Sequence, residues 1–97
     1  MATYIALSRF TAQGMHSVKE TTKRAEAARA AASKFGVKVK DIYWTLGQYD
    51  LVVISEASDE MAATAFALSI GATGNTRSET LRAFSGEEMQ TVLGKMG

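Results

Sequence analysis

The stretch Tyr43-Trp44-Thr45-Leu46-Gly47-Gln48-Tyr49-Asp50-Leu51-Val52-Val53-Ile54 leaves the backbone few options. Aromatic and β-branched residues flank a short link containing glycine, the pattern of two strands folded back on each other. Val37 to Leu46 and Leu51 to Ala57 are therefore read as a hairpin that turns at Gly47-Gln48-Tyr49-Asp50. An isolated hairpin is marginal in water, so the rest of the chain must pair with it or cover it.

Upstream, Tyr4, Ala6, Ser8 and Phe10 alternate with Ile5, Leu7 and Arg9, the period of a strand from Thr3 to Phe10. Both of its faces carry apolar side chains. A sheet with helices on one side and water on the other does not need that, so the second face is expected to be covered as well. Thr11-Ala12-Gln13-Gly14 breaks the alternation, and a helix is expected from about Met15 to Phe35 with an irregularity at Thr21-Thr22. Ala25, Ala28, Ala32 and Phe35 form its apolar stripe, and Gly36 takes the position that ends it.

After the hairpin, Ser58-Asp59-Glu60 offers a cap and acidic residues for a second helix from Asp59 to Ile70, stopped by Gly71 and Gly74. Alternation returns from Thr76 to Phe84, a fourth strand. Ser85-Gly86-Glu87-Glu88 matches a capping box, and Met89, Val92, Leu93 and Met96 give a short terminal helix its apolar stripe. The order is β-α-β-β-α-β plus that helix: an α+β, ferredoxin-like antiparallel sheet in one domain spanning residues 1–97.

Composition narrows the function classes. With Lys+Arg 11 against Asp+Glu 10 the chain has no strong field, so neither nucleic acid nor a membrane surface is an expected partner. The chain contains no cysteine, which removes disulfides, thiolate metal sites and a cysteine nucleophile. His16 is its one histidine, too few for a multi-histidine zinc site within one chain, and no metal centre is expected. No basic leader and no long apolar run stand out, and a cytoplasmic location is expected. The loop Gly71-Ala72-Thr73-Gly74-Asn75 follows a helix and precedes a strand, the reverse of a phosphate loop. The third strand, Leu51-Val52-Val53-Ile54-Ser55-Glu56-Ala57, lacks the aromatics of an RNA-recognition sheet.

Gly47-Gln48-Tyr49-Asp50 between two apolar strands, the last strand Asn75-Thr76-Arg77-Ser78-Glu79-Thr80-Leu81-Arg82-Ala83-Phe84, and Arg24-Ala25-Glu26-Ala27-Ala28-Arg29 together resemble the GYD-domain family. That resemblance covers nearly the whole chain. It implies a ferredoxin-like fold that pairs as a dimeric α/β barrel, so the expected partner is a second copy of the chain, in a homodimer or higher even-numbered oligomer. The family carries no established reaction or cofactor to transfer.

The candidate ligand-binding residues are His16, Trp44, Tyr49, Asp50 and Arg82. His16 is the natural candidate for a general base or an axial haem ligand, set against the reading of a solvated or capping histidine at the start of the first helix. Tyr49 and Asp50 have two readings: a turn in which Gly47 takes positive φ and Asp50 holds backbone amides, or a hydroxyl and carboxylate facing a ligand. Tyr4, Phe10, Trp44, Arg82 and Phe84 are expected on the face that helices leave free, where Arg82 would hold an anion or the residues would meet a second copy. Two functions follow: a homo-oligomeric module that binds a small molecule or acts as a regulatory accessory, or an enzyme of the cofactor-independent monooxygenase or haem-handling kind working in the barrel cavity.

Overall fold

The computed structural model describes residues 1–97. Four strands, β1 (Ala2–Phe10), β2 (Val37–Trp44), β3 (Leu51–Ala57) and β4 (Thr76–Ala83), form one antiparallel sheet in the order β2-β3-β1-β4. Helices α2 (Thr21–Lys34) and α3 (Glu60–Ala72) connect β1 to β2 and β3 to β4; α1 (Ala12–His16) and α4 (Gly86–Gly94) are short. This is the ferredoxin-like arrangement expected from the order of elements.

The first helical region departs from the expected single helix. It breaks at Ser17, where α1 gives way to a 3-10 turn at Val18–Glu20, rather than at the Thr21-Thr22 pair. Arg24 supplies the reason. One guanidinium nitrogen reaches both the Ser17 carbonyl and its hydroxyl at 2.9 Å, and the other reaches the Gly14 carbonyl at 3.1 Å. Carbonyls that a continuous helix would satisfy from its own backbone are satisfied by a side chain, so the axis can turn.

A knot of bonds fixes α1 against the start of β4. The Thr11 hydroxyl caps the Gly14 N–H at 3.1 Å and donates to the Gly74 carbonyl, while the Thr11 N–H meets the Asn75 carbonyl at 3.1 Å. Gly14 is buried there, and a Cβ built on it would run into the Asn75 carbonyl oxygen. Glycine is required by proximity at this point, not by backbone angle.

Strand β2 carries a bulge between Val39 and Asp41. Val37 and Val39 face the helices before it, and Ile42 does so after it, because the extra residue Lys40 shifts the alternation by one. Side chains of β1 divide accordingly: Tyr4, Ala6, Ser8 and Phe10 lie under the helices, and Ile5, Leu7 and Arg9 lie on the free face.

The helix-facing core sits at one end of the sheet. Ala32, Val37, Val39 and Ala57 are its buried centre, with Phe35 and Phe66 closing over it at a ring separation of 5.8 Å. Such an aromatic pair adds about 1 kcal/mol beyond its buried area. On the opposite face, register pairs Ile5–Ile54, Ile5–Leu81 and Leu7–Val52 form a continuous apolar patch with no helix over it. The α4 capping box forms as the sequence predicts, but its stripe of Met89, Val92, Leu93 and Met96 is exposed.

Candidate functional site

The turn at Gly47 to Asp50 is held from within. Gly47 adopts φ of 114°, open to glycine and costly for other residues. The Asp50 N–H donates to the Ser8 carbonyl at 2.8 Å, its carbonyl accepts from the Thr45 N–H at 2.9 Å, and its carboxylate accepts the Phe10 N–H at 2.9 Å. A hydrogen bond to a charged acceptor contributes about 2 kcal/mol where a backbone donor would otherwise be orphaned. Tyr49 is half-buried beneath Arg9, whose guanidinium stands 5.0 Å from the ring centroid and whose Nε donates to the Gln48 carbonyl at 2.8 Å. These contacts match the structural reading of the signature: Asp50 ties the hairpin to the end of β1.

The remaining candidates divide between the two ends of the sheet. Trp44 donates from its indole nitrogen to the Thr21 hydroxyl at 3.0 Å, so it lies on the helix side near Tyr49 and Asp50. His16 is exposed at the end of α1. Arg82 is the register partner of Tyr4, whereas Asp50 binds Phe10, six residues further along β1. At about 3.3 Å per residue that separation is about 20 Å, so Arg82 shares no small ligand with Asp50. Its guanidinium instead covers the Phe84 ring at 4.4 Å, bonds the Ala83 carbonyl and pairs with Glu88 at 3.4 Å.

The expected face assignment is corrected by this geometry. Tyr4, Phe10 and Trp44 lie under the helices, Arg82 belongs to the same strand face as Tyr4, and Phe84 lies beyond the end of β4. Alternation separates two sets of residues but does not say which set the helices will cover. The free face is built from Ile5, Leu7, Val52, Ile54 and Leu81 instead.

A cavity of about 550 Å³ lies between the sheet and helices α2 and α3. Its walls are largely apolar: Ala25, Ala28 and Ala31 on α2 and Ala6, Ser8 and Ser78 on the sheet contribute small side chains, and Phe10, Leu51, Phe66 and Ile70 larger ones. Ser8 and Ser78, register partners on β1 and β4, bond hydroxyl to hydroxyl at 2.7 Å. The Tyr4 hydroxyl, also on this wall, is buried with no hydrogen-bond partner. Arg24 is the one charged residue of the lining, and its guanidinium is already committed to Gly14 and Ser17. Of the ligand-binding candidates His16, Trp44, Tyr49, Asp50 and Arg82 none lines this space, whereas Tyr4 and Phe10, expected on the free face, do. The signal that could have found it is small residues at helix-facing positions of both layers.

No group of three or more His, Cys, Asp or Glu side chains gathers as a metal-binding set, and no helix is long and apolar enough to cross a membrane.

Comparison with known proteins places these observations. The family model for the GYD domain matches residues 4–93. A Thermus thermophilus protein named glutamine synthetase and cystathionine beta-lyase binding protein is 33% identical over 84 residues, which is 86% of this chain and 88% of that protein. The crystal structure of TTHA0845, also from Thermus thermophilus, superposes with a TM-score of 0.58 at 25% identity, over 89% of this chain and 96% of that one. The chain belongs to the GYD-domain family.

Proposed function

We propose that this GYD-domain protein is a homodimeric accessory module that binds enzymes of amino-acid metabolism and performs no chemistry of its own. The observation that carries the reading is the relative whose name states that it binds glutamine synthetase and cystathionine beta-lyase, which matches this chain over nearly its full length. Accessory binding also fits the fate of the candidate catalytic residues. Asp50 is spent on the Phe10 amide and Arg82 on Phe84, Ala83 and Glu88. The alternative, a monooxygenase-like or haem-handling enzyme, asks His16, Tyr49, Asp50 and Arg82 to surround one substrate, and the separation of Arg82 from Asp50 argues against it.

Pairing through the free sheet face supports the dimer. Ile5, Leu7, Val52, Ile54 and Leu81 would otherwise leave a continuous apolar surface in water, the usual mark of an association site. Two sheets meeting face to face bury it at the spacing of a sandwich or barrel. Sedimentation equilibrium should give twice the chain mass of 10.4 kDa, or an even multiple, and Ile54→Lys should return the monomer. A monomeric parent would remove this part of the reading.

The test of enzyme binding is sedimentation velocity of the purified protein mixed in turn with purified glutamine synthetase and cystathionine β-lyase from its own organism. Co-sedimentation with either enzyme is expected. Independent sedimentation with both would overturn the proposal.

A further inference from the structure

The cavity between the sheet and the helices is a binding site for an uncharged, largely apolar small molecule carrying one hydrogen-bonding oxygen; we propose this from its size, its walls and one orphaned hydroxyl. A volume of about 550 Å³ falls among pockets that bury a small organic ligand, roughly 300–1,000 Å³. Interiors normally close such a space, because facing side chains interdigitate. Here the space stays open, and Ala25, Ala28 and Ala31 on the helix and Ala6, Ser8 and Ser78 on the sheet bring only small side chains to its walls. The same helix does close on the sheet one turn further on, where Ala32 is fully buried beside Val37 and Val39. The helix is therefore not lifted from the sheet along its whole length.

The chemistry of the wall selects the ligand. The lining contains no carboxylate, lysine or histidine, and its single arginine has its guanidinium bound to Gly14 and Ser17. An anion or cation entering would lose its hydration without gaining a counter-charge, a cost that neutral molecules avoid. The Tyr4 hydroxyl is the group left in need of a partner. A buried phenol without one is destabilising, and a carbonyl or hydroxyl oxygen on the ligand would satisfy it. An aryl or alicyclic ketone or alcohol meets both conditions.

The site is independent of enzyme docking, and its test uses the protein alone. Amide chemical shifts of ¹⁵N-labelled protein would be followed through titrations with 2-acetylnaphthalene, naphthalene and 2-naphthoate, which share a ring system and differ in the oxygen group. The ketone should move the Ala6 and Ala28 amides saturably. Naphthalene should bind about fivefold more weakly, and Tyr4→Phe should bring the ketone down to the hydrocarbon's affinity. The carboxylate should bind at least about tenfold more weakly than the ketone. Ala28→Leu, which narrows the space, should weaken ketone binding while the protein stays folded, and Ala6→Val on the sheet wall serves if that variant does not fold. Absence of saturable shifts with the ketone, equal affinity for the carboxylate, or ketone affinity unchanged by the narrowing substitutions would each overturn the proposal. So would a change in subunit count on narrowing, which would assign the space to a segment of a second copy. Failure here leaves co-sedimentation with an enzyme untouched, and failure there leaves the titration untouched.

Discussion

Ala28 and Ala32 are the same residue one turn apart on α2, and they do opposite things. Ala32 is wholly buried among Val37, Val39 and Ala57, under Phe35 and Phe66; Ala28 borders the cavity. What differs is how closely the other layer approaches. Ala32 is packed among Val37, Val39 and Ala57, whereas Ala28 borders a space that Val37, Val39 and Phe66 border as well. Volume at one layer decides nothing until it is matched against the other, which is why an alanine stripe can be core at one end and cavity wall at the other.

Substitutions can break this contrast or sharpen it. Phe66→Ala opens the closed end and should cost about 3 kcal/mol, read as a lower midpoint in urea unfolding at unchanged slope. Ala32→Leu overfills the same end and should cost about 2 kcal/mol. Tyr4→Phe removes the unpartnered hydroxyl of a residue that packs on the closed core and also borders the cavity, and should stabilise the ligand-free protein by about 1 kcal/mol, seen as a higher thermal midpoint. Ala28→Leu places the same added volume as Ala32→Leu one turn earlier, and it should leave stability within about 1 kcal/mol of the parent. Equal losses from the two leucine substitutions would mean that the ends do not differ.

The smallest effect lies outside both ends, at α4. The Ser85 N–H holds the Glu88 carboxyl below its ordinary value of 4.5, and Arg82 adds to this, while partial desolvation opposes it. A carboxyl lowered by folding contributes stability at higher pH and loses it as pH falls below the ordinary value and through the folded one. Fraying of α4 should therefore appear only in acid, as a shift of the Ser85 amide resonance, and Glu88→Gln should remove the pH dependence while keeping the cap.

Much of this architecture was legible beforehand because local chemistry and global order agree. The Ser85 cap, the positive-φ Gly36, Gly47 and Gly74, and the alternation of β1 and β4 each announce an element boundary or type, while α3 is capped by Asp59, one residue later than the sequence suggests. Three features were not legible. The break at Ser17 depends on Arg24 folding back across ten residues to Gly14, and helix propensity contains nothing of that. The Lys40 bulge is an offset between two strands, so it exists only once β3 is paired. The side on which Tyr4 lies depends on where the helices settle, and alternation is blind to it. The site followed the same rule: Asp50 and Gly47 were readable as a turn, whereas the cavity is a relation between residues distant in sequence.

The central place of the first strand has a kinetic consequence. β1 is made first, yet both of its neighbours come from far downstream, β3 at Leu51–Ala57 and β4 at Thr76–Ala83. On the ribosome it emerges apolar on both faces and unpaired on both edges, and its Ser8–Ser78 contact must close a loop of 70 residues. The β2–β3 hairpin closes a far shorter loop and is expected to form earlier, with β4 arriving last to seal the sheet. A nascent chain halted before Thr76 would thus expose one edge of β1, the sort of edge on which chains aggregate. Stopped-flow kinetics of Ser78→Ala would report this order as faster unfolding with an unchanged folding rate.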